Sequence, residues 1–125
     1  MFQNLSDFTA SGQLGQKRTV KRHAMITCYV RYELNPDKID EFEEYARMWV
    51  PLVEKHGGTH HGYYLPHESA NDLAVTLFSF PSLAAYEEYR TASKNDPECQ
   101  KAFEFAEKMN SIRRYDRQFL RPLEI

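Results

Sequence analysis

The stretch from Gly57 to Pro66, GGTHHGYYLP, sets two adjacent histidines among aromatics directly after a glycine pair. An imidazole titrates near neutral pH, so His60 or His61 beside the Tyr63 hydroxyl could act as a general base toward an acidic phenol or enol. Paired histidines could also hold a metal. Neighbours on an extended chain point to opposite sides, however, and no HExxH, no HxH with a following carboxylate and no cysteine-rich ligand set accompanies them. No metal and no cofactor are expected. Strict alternation puts His60 with Gly62 and Tyr64, and His61 with Thr59, Tyr63 and Leu65, so only one of the pair can look into a cleft. The plainer role for both is hydrogen bonding within the sheet or across a dimer, because no neighbouring carboxylate orients either ring.

Planar cations form the second set. Arg113, Arg117 and Arg121 alternate with Tyr115 and Phe119, Arg31 sits beside Tyr29 on an earlier strand, and Arg90 comes one helical turn after Tyr86. Guanidinium forks match a carboxylate or phosphate, and aromatics beside them stack a ring. The candidate ligand contacts are therefore Tyr29, Arg31, His60, His61, Tyr63, Arg90 and Arg113. Charged protection of a sheet edge, inter-subunit ion pairs to residues such as Glu33, and a snorkelling stem for Arg90 are the ordinary alternatives. Cys28 and Cys99 lie on apolar stripes with neither CxxC spacing nor scaffold density. They read as reduced, buried thiols of a cytoplasmic protein.

These side chains must be held by a sheet and its helices. In ITCYVRYEL, Ile26, Cys28, Val30, Tyr32 and Leu34 alternate with polar partners, which predicts a strand. NPDKIDEFEEYARMWVPLVEKHGG predicts a helix opened by Asn35 and Pro36 and closed by the glycines, with Ile39, Phe42, Ala46, Trp49 and Val53 inward. THHGYYLP predicts a second strand. LAVTLFSF is apolar on both faces and predicts a third, central one, with Phe78 a candidate for the face away from the helices. Ser82 caps a second helix, Asp96 and Pro97 start a third, and IRRYDRQFLRP predicts the last strand. Residues 1–24 lack periodicity and gather Lys17, Arg18, Lys21 and Arg22. They read as a flexible basic N-terminal tail, either a targeting arm or the remnant of an upstream start, ahead of a domain at 25–125.

That order, strand-helix-strand-strand-helix-helix-strand, is a ferredoxin-like split βαβ: an α+β domain whose antiparallel sheet carries helices on one face. Tyr29, Tyr115 and Phe119 are assigned to the uncovered face, and a homodimer packing sheet against sheet would bury them. At 125 residues and a formal charge of −2 the chain suits one domain with no pull toward nucleic acid. No apolar run reaches the roughly 18 residues that a membrane span needs.

MITCYVRYEL, GGTHHGYYLP, LFSFPSLAAYEEYR and DPECQKAFEFAE, in this order, resemble a bacterial-type NIPSNAP protein of the dimeric α+β barrel superfamily. The resemblance implies a ferredoxin-like subunit whose sheet closes a barrel with that of a second copy. Related barrels include cofactor-free monooxygenases, haem enzymes and isomerases, so it implies no single reaction. The expected function is a homodimer binding a small apolar or aromatic ligand between sheet and helices. A cofactor-free monooxygenase-like or isomerase-like enzyme using His60 or His61 with Tyr63 is the first alternative, and a protein-protein interaction module is the second.

Overall fold

The computed structural model describes residues 25–68 and 70–125, so the reading of residues 1–24 as a tail lies outside the described residues. The elements come in the expected order: β1 (Ile26–Leu34), a 3-10 turn (Pro36–Lys38), α1 (Ile39–Lys55), β2 (Thr59–Tyr64), β3 (Leu73–Phe80), α2 (Leu83–Lys94), α3 (Pro97–Met109) and β4 (Ile112–Leu120). The four strands pair antiparallel in the order β2-β3-β1-β4. The α+β ferredoxin-like class holds.

Alternation in β1 decides which side the helices cover. Cys28, Val30, Tyr32 and Leu34 are buried, and cross-strand register extends that face to Ala74, Thr76, Phe78 and Phe80 on β3. Phe42, Ala46, Trp49, Leu52 and Val53 of α1 lie over it, and sealing side chains such as Leu34 and Phe42 contributes about 1.5–3 kcal/mol each. Phe78 is therefore a core residue. The uncovered face of β3 is Leu73, Val75 and Leu77, joined by Tyr29 of β1.

Caps behave locally, as their chemistry requires. Ser82 Oγ accepts from Ala85 N at 3.0 Å and Asp96 Oδ1 from Glu98 N at 2.9 Å, each satisfying an orphan donor of its helix. Asn35 does not cap. Its amide donates instead to the carbonyl of Asn110, the left-handed residue (φ 54°) that ends α3. Gly58 is required by space, since a Cβ there would stand 2.8 Å from Phe80 Cζ and from Val53 Cγ1.

The helices are offset across the sheet. α1 packs on β2 and α3, α2 packs on β3 and α3, and no helix packs extensively on β4. Register places Tyr115, Arg117 and Phe119 opposite Tyr32, Val30 and Cys28, on the helix side. This corrects the assignment of Tyr115 and Phe119 to the uncovered face. They stay 53% and 45% exposed because helix cover is thin there, with the Tyr86 ring of α2 meeting Phe119 edge-on at 4.9 Å.

Candidate functional site

The histidines part company at a bulge. His60 pairs with Phe78 and Gly62 with Leu77, so His61 is an extra residue with no partner of its own on β3. Inserting one residue shifts the alternation. His60 and Tyr63 consequently share the helix side, with ring centroids 5.0 Å apart, and Phe78 stacks on the other side of His60 at 5.9 Å. The expected partition, His60 with Tyr64 and His61 with Tyr63, fails for this reason. His61 lies on the uncovered side, its Nε2 2.8 Å from Ser79 Oγ, which in turn meets Thr27 Oγ1 at 2.7 Å.

His60 is committed to the bulge. Its Nδ1 accepts from Gly62 N at 2.9 Å, which leaves the proton on Nε2, 3.4 Å from Thr76 Oγ1; that hydroxyl donates onward to Gly62 O at 2.9 Å. The closed circuit accounts for every ring nitrogen and holds Gly62 at φ +111°. Burial first, and the neighbouring His61 second, push the His60 pKa below its ordinary value, so the ring is neutral.

The gap left over β4 is a cleft of about 170 Å³. Val30, Val53 and Phe78 form its apolar depth, and Tyr32, Tyr45, Tyr63 and Tyr89 contribute its walls. Burial raises the Tyr32, Tyr63 and Tyr89 hydroxyls well above their ordinary range and Tyr45 to about 12, so each is a neutral phenol at physiological pH. Trp49 lines the same space. The Tyr45 hydroxyl lies near its indole N–H without closing a hydrogen bond of sound geometry, and Nε1 is left buried and unpartnered. Arg90 and Arg117 stand at the opening. Arg90 donates to Tyr86 Oη at 3.0 Å, and the Arg117 guanidinium lies 5.3 Å from the centre of the Tyr115 ring. Phe103, 46% exposed and 5.1 Å from Trp49 by ring centroids, forms the lip. A shallower groove of about 510 Å³ continues outward, sharing Tyr32, Tyr45, Phe103, Tyr115 and Arg117. Among the described residues no histidine lines either space.

Of the ligand contacts expected from sequence, Tyr63 and Arg90 reach the cleft. His60 stands behind Tyr63. Tyr29 and Arg31 are on the uncovered face, where Arg31 lies 3.5 Å from Glu33 and 3.9 Å from Asp116 of the same chain. Arg113 reaches Asp72 at 3.8 Å. Sequence spacing brings out Arg117 without marking it as a ligand contact, and it gives no site role to Tyr45, Trp49, Tyr89 or Phe103. The aromatic spacing on α1 and α2 is the available signal, but it is also the spacing of a core.

One further cluster escapes the sequence. His56 Nε2 lies 2.8 Å from Asp96 Oδ2 and 3.9 Å from Cys99 Sγ, and the three ligand atoms fall within 4.8 Å of one another. Lys55 Nζ takes the same Asp96 oxygen at 2.8 Å and holds the carboxyl well below its usual range, with His56 adding to the effect. Burial and the Asp96 charge lift the Cys99 thiol to about 11. Asp96 and Cys99 both meet the same imidazole nitrogen of His56, which is not the two-sided relay of a nucleophilic triad. The cluster ties the end of α1 to the start of α3.

The NIPSNAP family profile matches residues 29–125. The chain belongs to the NIPSNAP family. Among curated proteins none matches it. Solved structures share the architecture of this NIPSNAP chain. An uncharacterised NIPSNAP-like domain protein from Burkholderia xenovorans is 22% identical over 81% of this chain and 87% of its own, with a TM-score of 0.66. A NIPSNAP family protein of unknown function from Agrobacterium tumefaciens is 19% identical over 80% and 89%, with a TM-score of 0.68. A protein from Bacteroides thetaiotaomicron described as an antibiotic biosynthesis monooxygenase is 13% identical over 82% and 93%, with a TM-score of 0.61. At these identities the likeness is one of fold. Among the described residues no helix is long and apolar enough to cross a membrane.

Proposed function

We propose that this NIPSNAP domain is a homodimer that binds a small apolar or aromatic molecule in the cleft between sheet and helices. The observation that carries the reading is the cleft itself: an apolar floor under neutral phenols, opened because no helix packs extensively on β4. At about 170 Å³ the inner space falls below the roughly 300 Å³ of ordinary ligand sites, and the adjoining groove with its shared walls supplies further room. A filled gap would have favoured a pure interaction module. General-base chemistry from His60 is disfavoured, because its nitrogens are already committed within the bulge and a base must reach its proton at about 2.6–3.2 Å.

Dimerisation is supported by the uncovered face, where Tyr29, Leu77, Val75 and the 58% exposed Tyr64 adjoin in cross-strand register. Such a patch is commonly closed by a second copy about a two-fold axis. Ligand binding is tested by screening a library of small aromatics against the isotope-labelled protein. Hits should move the Trp49, Tyr63 and Tyr89 resonances and leave those of His61 and Ser79 in place. A library that yields no hits, or hits confined to the uncovered face, refutes the cleft as a ligand site.

A further inference from the structure

We infer that the cleft selects an anion, namely a small aromatic carboxylate with its ring between the tyrosines and its carboxylate at the opening. The inference rests on the cleft being a ligand site and adds the ligand's charge. Arg90, Lys94 and Arg117 all line the cleft, while among the described residues no aspartate or glutamate does. Glu107 enters only in the outer groove. In a chain with 18 acidic and 16 basic residues, acids are plentiful enough to neutralise cations, and Arg31, Arg47, Arg113 and Arg114 each lie within ion-pair distance of one. Arg90 and Arg117 have no carboxylate partner among the described residues. A phenol oxygen holds Arg90, and a ring face together with the neighbouring Cys28 thiol holds Arg117, which leaves most of their N–H donors unspent.

The interior points the same way. Trp49 is 5% exposed and its Nε1–H closes no hydrogen bond of sound geometry with the neighbouring Tyr45 hydroxyl, so a ligand oxygen reaching it would complete a buried donor. The surrounding hydroxyls stay protonated, hence no phenolate offsets the positive opening. A planar ring fits the narrow apolar depth, and planar forks at the opening match a carboxylate in two-point geometry.

Benzoate, its neutral amide benzamide, and the cation benzylamine separate charge from shape. Trp49 is the sole tryptophan, so its indole N–H gives one resonance that reports the cleft directly. Benzoate should shift that signal to saturation with an affinity about tenfold or more above that of benzamide, the usual advantage of hydrogen bonds to a charged group. Benzylamine should bind weakest. Arg117→Gln should bring benzoate affinity down to that of benzamide measured in the same variant, and Arg90→Gln provides an independent second variant. Benzamide matching benzoate in the native protein refutes charge selection while leaving the cleft a ligand site. An indole signal unmoved by all three compounds refutes both.

Discussion

Replacing His60 with alanine should destabilise the domain far more than replacing His61. The imidazole accepts from Gly62 N at 2.9 Å, donates more weakly to Thr76 Oγ1 at 3.4 Å, and stacks on Tyr63 and Phe78 at 5.0 and 5.9 Å. The short bond contributes about 1 kcal/mol and the long one less. Ring stacking at the low end of its range, about 0.5 kcal/mol for each pair, brings the whole loss to about 2–3 kcal/mol. For a domain near 100 residues that lowers the melting temperature by roughly 10–20 °C. His60→Asn keeps an acceptor that can reach the amide two residues on, and should recover about half. His61→Ala loses one hydrogen bond to Ser79 on an exposed position and should cost less than about 1 kcal/mol. Urea denaturation followed by Trp49 fluorescence gives all three values from one probe. Equal costs at the two histidines, or a His60→Ala protein as stable as the parent, would refute the locked bulge. A His60→Asn protein that is fully stable but no longer binds cleft ligands would move His60 from the scaffold to the site.

Acid should unfold the protein in two stages. His60 has a folded pKa below its ordinary 6.5, so the unfolded chain binds the proton more readily and stability declines as pH falls from about that value. Asp96 is depressed from 3.8 by Lys55 and then His56; its contribution is complete above that value and disappears as pH falls through the lower folded one. His60→Asn should abolish the first decline and Asp96→Asn, which can still cap α3, the second; melting curves from pH 8 to pH 1.5 that keep both slopes in these variants exclude the assignment. Gly58→Ala should cost about 1–3 kcal/mol by driving a methyl into Phe80 and Val53, and Val53→Ala in the same chain should show a non-additive recovery in a double-mutant cycle. Leu77→Asp would bury an unpaired carboxylate between two sheets and should convert a dimer to a folded monomer by light scattering, whereas Phe78→Asp, aimed at the core, should unfold the subunit. A Leu77→Asp protein with unchanged dimeric mass would mean that another surface joins the copies.

The sequence by itself determined the elements and their order, because the forces involved act over a few residues. Alternation from Ile26 to Leu34 names a strand and its buried face, and the Ser82 and Asp96 side chains cap helices through amides two or three positions away. Tertiary structure alone decided which face each later strand turns inward. Alternation has a period of two, so the single extra residue at His61 reverses the facing of Gly62, Tyr63 and Tyr64, and that insertion is defined only against β3. Tyr115, Arg117 and Phe119 likewise acquire a side only when β4 takes its register from β1. The cleft depends on a still longer-range fact, the offset of three helices away from β4, and the His56–Asp96–Cys99 tie joins residues some 40 positions apart. Local patterns carry the energy of single elements, while the site consists of the space between elements, which no one segment encodes.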